Sequence, residues 1–391
     1  MTATTLRPVA AAEELADTVS ALADRAEADR TLPAELVGKL RDGGLFAMGL
    51  PASLGGLECR PEELIPAIET VSRADASVGW SVLIGNTSAF LAWLPPGTAE
   101  EIVATNPCPI VAGSMAPVGR GELMADGTAY RVTGRWPFSS GCSHADVLMG
   151  GFVVRENGRP KLDENGRPGM RVAFFAADEV TVHDTWHVAG LAGTGSHDIA
   201  VSEVVVPVRR TAVPFAEPSH QPGPLYRLSP YNVLMVLFAG FPLGVAGRAL
   251  DELAALATTK QRVGARHTLL DDPLVNTELV ADHAALRAAR AGVLDAAADV
   301  WDTVESGREL GLRQRAGLAA ATVHAFDVAR GIVSRAFHQA GASALFDHSP
   351  LQRCLRDMHA AGQHIAFSAD SRERLSRAWL GLPVPPAIFQ V

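Results

Sequence analysis

The sequence predicts a mainly α protein with a central β domain, in the order helical domain, β domain, long-helix bundle. Three observations predict it. Apolar residues recur at helical spacing through the first hundred positions. Short runs of β-formers, punctuated by Gly, Asp and Asn, fill residues 109–213. Long Ala-rich helical patterns occupy the remainder. The domain boundaries read 1–105, 106–214 and 225–391.

Each element has its own signal. Leu15, Val19, Leu22 and Ala23 mark one helix, and Pro33 with Leu36, Val37 and Leu40 starts a second. Gly43-Gly44 stops it. Residues 61–71, 77–93 and 99–104 read as further helices, with Pro95-Pro96-Gly97 as a break. Strands are expected at 111–113, 129–133, 147–149, 152–154, 171–175 and 199–201, with turns at Asp126-Gly127 and Glu164-Asn165-Gly166. Such spacing suits a small sandwich or barrel. Residues 241–258, 272–306 and 312–339 are long helices, which an antiparallel bundle with oligomer contacts accommodates. Pro350 permits a new helix start, on which Asp357 and His364, seven residues apart, would share a face.

Composition limits the function. At 391 residues and 48% hydrophobic, the chain folds around a large core. A net charge of −9 with both signs interspersed argues against nucleic acid or an anionic membrane as partner. The apolar run 231–246 is interrupted by Gly240, Pro242 and Gly244 and reads as a buried helix. Cys59, Cys108, Cys142 and Cys354 form no CxxC pair, so neither zinc nor a disulfide framework is expected, and a reducing cytoplasm fits. Residues 1–8 have no signal-type apolar core.

Four stretches carry chemistry. In Gly134-Arg135-Trp136-Pro137-Phe138-Ser139-Ser140-Gly141, a strand end offers a flat apolar face and hydroxyls for the edge of a heteroaromatic ring. The plainer reading is a β-bend with a core Trp. Asp184-Thr185-Trp186 precedes Gly190-Leu191-Ala192-Gly193-Thr194-Gly195-Ser196-His197-Asp198, whose glycines permit close approach to a ligand or tight strand crossings. This is no dinucleotide fingerprint, because it lacks the third glycine and leads into a strand. Lys260, Arg262 and Arg266 form a basic set suited to phosphate. His338 to Phe346, then Ser349 to His364, is a helix break followed by a helix with an isolated imidazole; alone, that reads as an ordinary helix histidine. His144 and His197 could face a ligand. His183 and His187 have metal-compatible spacing, but their β-patterned segment argues against a metal site.

Taken together these segments resemble the acyl-CoA dehydrogenase superfamily over essentially the full length. Residues 32–46 and 51–56, the Trp136 strand, and Leu351-Gln352-Arg353 with Arg356-Asp357 carry the likeness. Trp136 to Gly141, Trp186 with Gly190 to Asp198, and Ala360 to His364 look most like the flavin-dependent monooxygenase branch, the oxygenase partners of two-component systems. The resemblance implies an N-terminal helical domain, a middle β-sandwich or barrel and a C-terminal four-helix bundle. It implies a flavin between β domain and bundle, delivered as FADH2 or FMNH2 by a separate flavin reductase, with molecular oxygen as co-substrate. Trp136, Phe138, Ser139 and Ser140 would contact the isoalloxazine, with Thr194, Gly195 and Ser196 close by. Arg262 would approach a flavin of its own or a neighbouring subunit, and Ser343 and Phe346 would reach a neighbour's flavin tail in a homotetramer or dimer.

His364, Ser139 and Ser140 are then the expected catalytic residues. The dehydrogenase pattern ends this helix with an aromatic-Glu-Gly group; here stands His364-Ile365-Ala366, without a carboxylate to remove a Cα proton. An oxygenase instead hydrogen-bonds a C4a-hydroperoxide and excludes water, and a histidine of ordinary pKa would serve as acid or base near neutrality. Aromatic hydroxylases of the branch often carry a His or an aromatic where this chain has Gly85-Asn86-Thr87-Ser88. An aromatic, an indole-like ring and an amine-bearing natural product therefore stay open as substrates. A flavin-linked acyl-thioester dehydrogenase is the alternative enzyme, and a flavin-free binding protein of the same fold the alternative class.

Overall fold

The computed structural model describes residues 7–163, 166–213 and 217–384. Five helices come first: α1 (Pro8–Asp29), α2 (Ala34–Asp42), α3 (Pro61–Ala74), α4 (Ala76–Gly85) and α5 (Thr98–Thr105). Pro61 at the first turn of α3, followed by Glu62 and Glu63, complements the helix N-terminus. The single helix expected over residues 77–93 is two elements, α4 and a 3-10 segment, Thr87–Trp93. Asn86 divides them. Its fully buried side chain accepts the Gly49 N–H at 2.8 Å and donates to the Leu45 and Val82 carbonyls, each at 2.8 Å. Helical periodicity does not reveal a side chain that serves backbone groups some forty residues away.

Among the described residues, eight strands form one sheet: β1 (Val111–Leu123), β2 (Ala129–Trp136), β3 (Val147–Glu156), β4 (Arg159–Pro160), β5 (Met170–Ala176), β6 (Thr181–His183), β7 (Asp198–Pro207) and β8 (Thr211–Ala212). Their order is β6-β7-β2-β1-β3-β5-β8, with β4 on β3; β1 and β3 are parallel and the other pairs antiparallel. The two strands expected at 147–149 and 152–154 are one. Gly150 continues the strand because a side chain there would strike the Trp136 ring, as it would at Gly119 and Gly134. Part of the turn expected at Glu164-Asn165-Gly166 lies outside the described residues.

Trp136 thus fills the sheet's own core. It is 0% exposed, its Nε1 donates to the Gly151 carbonyl at 2.7 Å, and its ring packs 5.9 Å from Phe175. This corrects the expectation that Trp136 presents a face to a ring ligand. Trp136→Ala should cost about 3–5 kcal/mol by cavity formation and leave a carbonyl unpaired. A lowered denaturant midpoint at unchanged slope would show it.

The bundle comprises α6 (Pro230–Ala257), α7 (Pro273–Glu305), α8 (Leu312–Ala340), α9 (Pro350–Ala361) and α10 (Ala369–Trp379). α6 merges the apolar run 231–246 with the helix expected from 241. By length and composition it could cross a membrane, but its apolar window is 94% buried between α3 and α8. Gly240 and Gly244 face the α3 backbone, where no Cβ would fit.

α9 stops at Ala361. His364 has extended backbone (φ −62°, ψ 140°) and opens the 3-10 turn Ile365–Phe367. Asp357 and His364 therefore do not share a helix face, contrary to the seven-residue spacing. The imidazole competes with the helix for backbone: Nδ1 accepts the Ala366 N–H at 3.2 Å.

Candidate active site

The strand end after β2 and the loop before β7 are joined by side-chain hydroxyls. The Thr194 hydroxyl donates to the Leu191 carbonyl at 2.7 Å, and Thr194 and Ser196 hydroxyls lie 2.6 Å apart. Ser196 and Ser140 are 2.7 Å apart, and the Trp80 indole N–H donates to Ser140 at 3.0 Å. Gly141 N–H closes the join on the Thr194 carbonyl at 2.9 Å. Ser140, Thr194 and Ser196 are all buried, so each hydroxyl must find a partner, and the chain gives each one.

Trp80, from α4, links this chain to the bundle. Its ring meets His364 edge-on at 5.9 Å and packs on Phe238 at 5.5 Å and Phe241 at 5.2 Å. Phe238 lies 4.8 Å and Phe367 6.3 Å from the imidazole. In this aromatic surround, desolvation pushes the His364 pKa down to about 4. The ring is thus neutral at pH 7, correcting the expectation of an ordinary pKa. Because Nδ1 accepts the Ala366 N–H, the proton sits on Nε2, for which no hydrogen bond is found among the described residues. His364 therefore offers one N–H donor beside Trp80, whose own indole N–H is taken by Ser140.

Other expected contacts turn inward. Ser139 is fully buried; its hydroxyl donates to the Trp136 carbonyl at 3.3 Å and its N–H to the His197 carbonyl at 3.1 Å. The glycines of the second motif approach protein, not ligand. A Cβ at Gly190 would collide with the Arg356 carbonyl, at Gly193 would meet Ser77 and Ala26, and at Gly195 would press on the Arg30 carbonyl. His197 is 8% exposed, and its Nδ1 accepts the Thr185 and Trp186 N–H groups, each at 3.2 Å. His144, against Phe46, has both ring nitrogens unpaired and a pKa pushed down to about 4 by burial. His183 lies on β6, His187 beside Arg30 and Asp184, and no metal-ligating group of three is found among the described residues.

What remains open is an apolar surface. Phe138 has φ +62° and is 71% exposed, and it meets Trp186 edge-on at 6.2 Å. Ile365, next to His364, is half exposed. The exposed Phe138 ring, backed by Trp186, is a flat apolar face of the kind that a flavin ring system packs on.

The second group of expected residues stands elsewhere. Lys260 Nζ donates to Ser343 at 2.7 Å and to the Ala340 carbonyl, while Arg262 pairs with Asp272 at 2.5 Å. Phe346 is 60% exposed and stacked on His348. These residues sit before α9 and His364 sits after it, roughly 18 Å of helix away at 1.5 Å per residue. Within one chain, Phe346 and His364 do not meet. Sequence reasoning missed Trp80 and Phe238, which it read only as helix residues, and Phe367, which it did not single out. Their sole signal was aromatic character in an apolar stretch.

This architecture and site define a flavoprotein class. The family model for the acyl-CoA dehydrogenase N-terminal domain matches residues 6–101, and that for the C-terminal domain matches residues 236–369. The chain belongs to the acyl-CoA dehydrogenase family, in its flavin-dependent monooxygenase branch. It is 31% identical to an indole-3-acetate monooxygenase of Pseudomonas putida over 92% of this chain and 90% of that one. It is 29% identical to the oxygenase component of an FADH2-dependent resorcinol hydroxylase of a Rhizobium species, over 94% of this chain and 92% of that one. The crystal structure of the HsaA monooxygenase of Mycobacterium tuberculosis superposes with a TM-score of 0.88 at 26% identity, covering 98% of this chain and all of that one.

Proposed function

We propose that the chain is the oxygenase component of a two-component monooxygenase that hydroxylates an aromatic ring, an indole-like ring included, beside His364. The monooxygenase activity, the reduced flavin and the separate reductase follow from the family branch and its relatives. The observation that carries the reading is the neutral imidazole with a free Nε2–H, walled by Trp80, Phe238 and Phe367, at a position without a carboxylate.

Reduced flavin, when bound, supplies activated oxygen. The residues of this chain do the rest. Phe138, Trp186 and Ile365 supply apolar cover for a flat ring, and the buried hydroxyls of Ser140, Ser196 and Thr194 brace the loop that carries Trp186. Phe238, Phe367 and Trp80 exclude water from the reacting centre. His364 Nε2–H donates to a substrate or developing oxyanion, and Nδ1 stays held by Ala366, so the imidazole orients rather than abstracts.

We read the assembly as a homotetramer or dimer, in which Ser343, Phe346 and Arg262 serve the flavin of another copy. Support comes from large apolar side chains exposed in one chain, among them Leu345, Phe346, Trp379 and Leu380. Four free cysteines support a cytoplasmic location.

The test is anaerobic titration with reduced FAD and FMN, followed by mixing with heavy-oxygen-labelled O2 and a panel of indoles, phenols and resorcinols. Label should enter a product only when reduced flavin is supplied. Reduction of bound oxidised flavin by an acyl thioester, with no labelled product, would overturn the reading in favour of the dehydrogenase.

A further inference from the structure

Beside the Leu191 loop, α1, α3, α4, α6 and α9 line a partly open pocket of about 200 Å3 that the reaction as described does not use. Asp357 of α9 stands between the cavity and the active-site loop. It is 2% exposed, and its Oδ1 accepts the Leu191 N–H at 2.6 Å. Its Oδ2 is buried without a partner, as is the hydroxyl of Ser72 on the cavity wall.

Leu191 is a node. It is a non-glycine residue held at φ +55°. Its carbonyl accepts both the Trp186 indole N–H, at 2.9 Å, and the Thr194 hydroxyl, at 2.7 Å. Trp186 backs Phe138, and Thr194 begins the hydroxyl chain to Ser140. A left-handed leucine is an uncommon conformation that persists only where neighbours over-determine it. Here the neighbours are on α9: Asp357 takes its N–H, Arg356 donates to the Ala189 carbonyl, and Gly190 lies against the Arg356 backbone.

We propose that Asp357 is a positioning residue for the oxygenation, locking Leu191 so that Trp186 and the Thr194–Ser196–Ser140 hydroxyls hold their places. This rests on the site being the oxygenase site proposed above.

The charges around Asp357 make the lock responsive to pH. Arg353 is taken by Asp24 and Glu27, and Arg356 by Glu27 at 2.7 Å. Arg248 is taken by Glu252 at 2.7 Å and Arg73 by Asp251 at 2.5 Å. Asp75, which caps α4, adds a second buried carboxylate; Cys354 and His348 complete the titratable lining. Each guanidinium facing the cavity is already paired, so Asp357 has no counter-ion to itself. Burial first, and the Asp75 charge second, push its pKa up to about 7, against the Leu191 N–H and Arg356. Below that pH the carboxyl is neutral and its acceptor bond to Leu191 is weak. Above it, the bond is charge-assisted and strong.

The experiment compares wild type with Asp357→Asn and Asp357→Ala. It measures reduced-flavin affinity and the fraction of oxygen ending in product rather than hydrogen peroxide, from pH 6 to pH 8.5. In the wild type the product fraction should rise across roughly pH 7. Asp357→Asn, which keeps the shape but cannot ionise, should bind flavin yet show a flat, low fraction. Asp357→Ala should lose product roughly 10- to 100-fold through misplacement of the site. If Asp357→Ala does not fold, the Asn profile decides alone. A wild-type pH profile retained in Asp357→Asn overturns the proposal, as does a wild type with no change across this range. A wild type that binds no reduced flavin overturns instead the functional reading on which it rests.

Discussion

Replacing His364 by alanine is expected to leave reduced-flavin binding near wild type and to lower product formation by about 10²- to 10³-fold, the range for loss of a positioned hydrogen-bond donor. Oxygen uptake should continue and end in hydrogen peroxide, because the apolar cover proposed for the flavin, Phe138 against Trp186, is untouched. His364→Gln, which retains an N–H donor, should recover part of the loss. The measurement is product against peroxide per flavin oxidised. Equal product from wild type and His364→Ala would return the imidazole to packing against Trp80 and Phe238.

The same residue makes a pH prediction with a definite sign. Its pKa falls from 6.5 to about 4 on folding, so the neutral form is the one the fold favours. Between those values the unfolded chain binds the extra proton, so the stability His364 contributes is complete above pH 6.5 and is lost as pH falls through about 4. Product formation should therefore show no inflection near pH 6.5 from this group, and the acid limb of the stability profile should soften in His364→Ala.

Asn86→Ala is expected to be the most destabilising polar substitution in the helical domain. It removes one acceptor and two donor bonds at a position with no exposed surface, leaving the Gly49 N–H and Leu45 carbonyl unpaired. At about 1–3 kcal/mol per orphaned group, the cost is roughly 3–5 kcal/mol. Denaturant unfolding followed by circular dichroism checks it, with a lower midpoint at the same slope. Asn86→Asp, which keeps the acceptor and loses the donors, should fall between. A midpoint within experimental error of wild type would show that the surrounding backbone finds other partners.

Asn86 also changes what the sequence means for substrate. The departure from a His or aromatic after Gly85 reads as a statement about the substrate pocket. In the fold Asn86 is a fully used structural side chain, and Gly85 is required because any Cβ would strike Phe46. The residue at this position therefore says little about whether the ring is a phenol or an indole.

The order of helical and β segments and the starts of α3, α7 and α9 were legible in the sequence, and so was the contiguity of the motifs at residues 134–141 and 186–198. Each is a local matter of periodicity, proline placement, capping or a contiguous motif. The flavin-oxygenase reading too rested on short motifs and on one missing carboxylate. Only the tertiary structure decided which way the motif residues point. Trp136, Ser139 and the loop glycines carry ligand-binding chemistry on paper. In the fold their partners are protein: Gly151 and Trp136 carbonyls, and the backbones of α1 and α9. The reverse holds for Trp80 and Phe238, which look like ordinary helix residues, and for Phe367, which carries no signal, until α4, α6 and the 365–367 turn converge on His364. A residue's type fixes which bonds it is able to make. Which of them it makes depends on groups hundreds of positions away, because burial forces every polar atom to take the partner that packing brings to it.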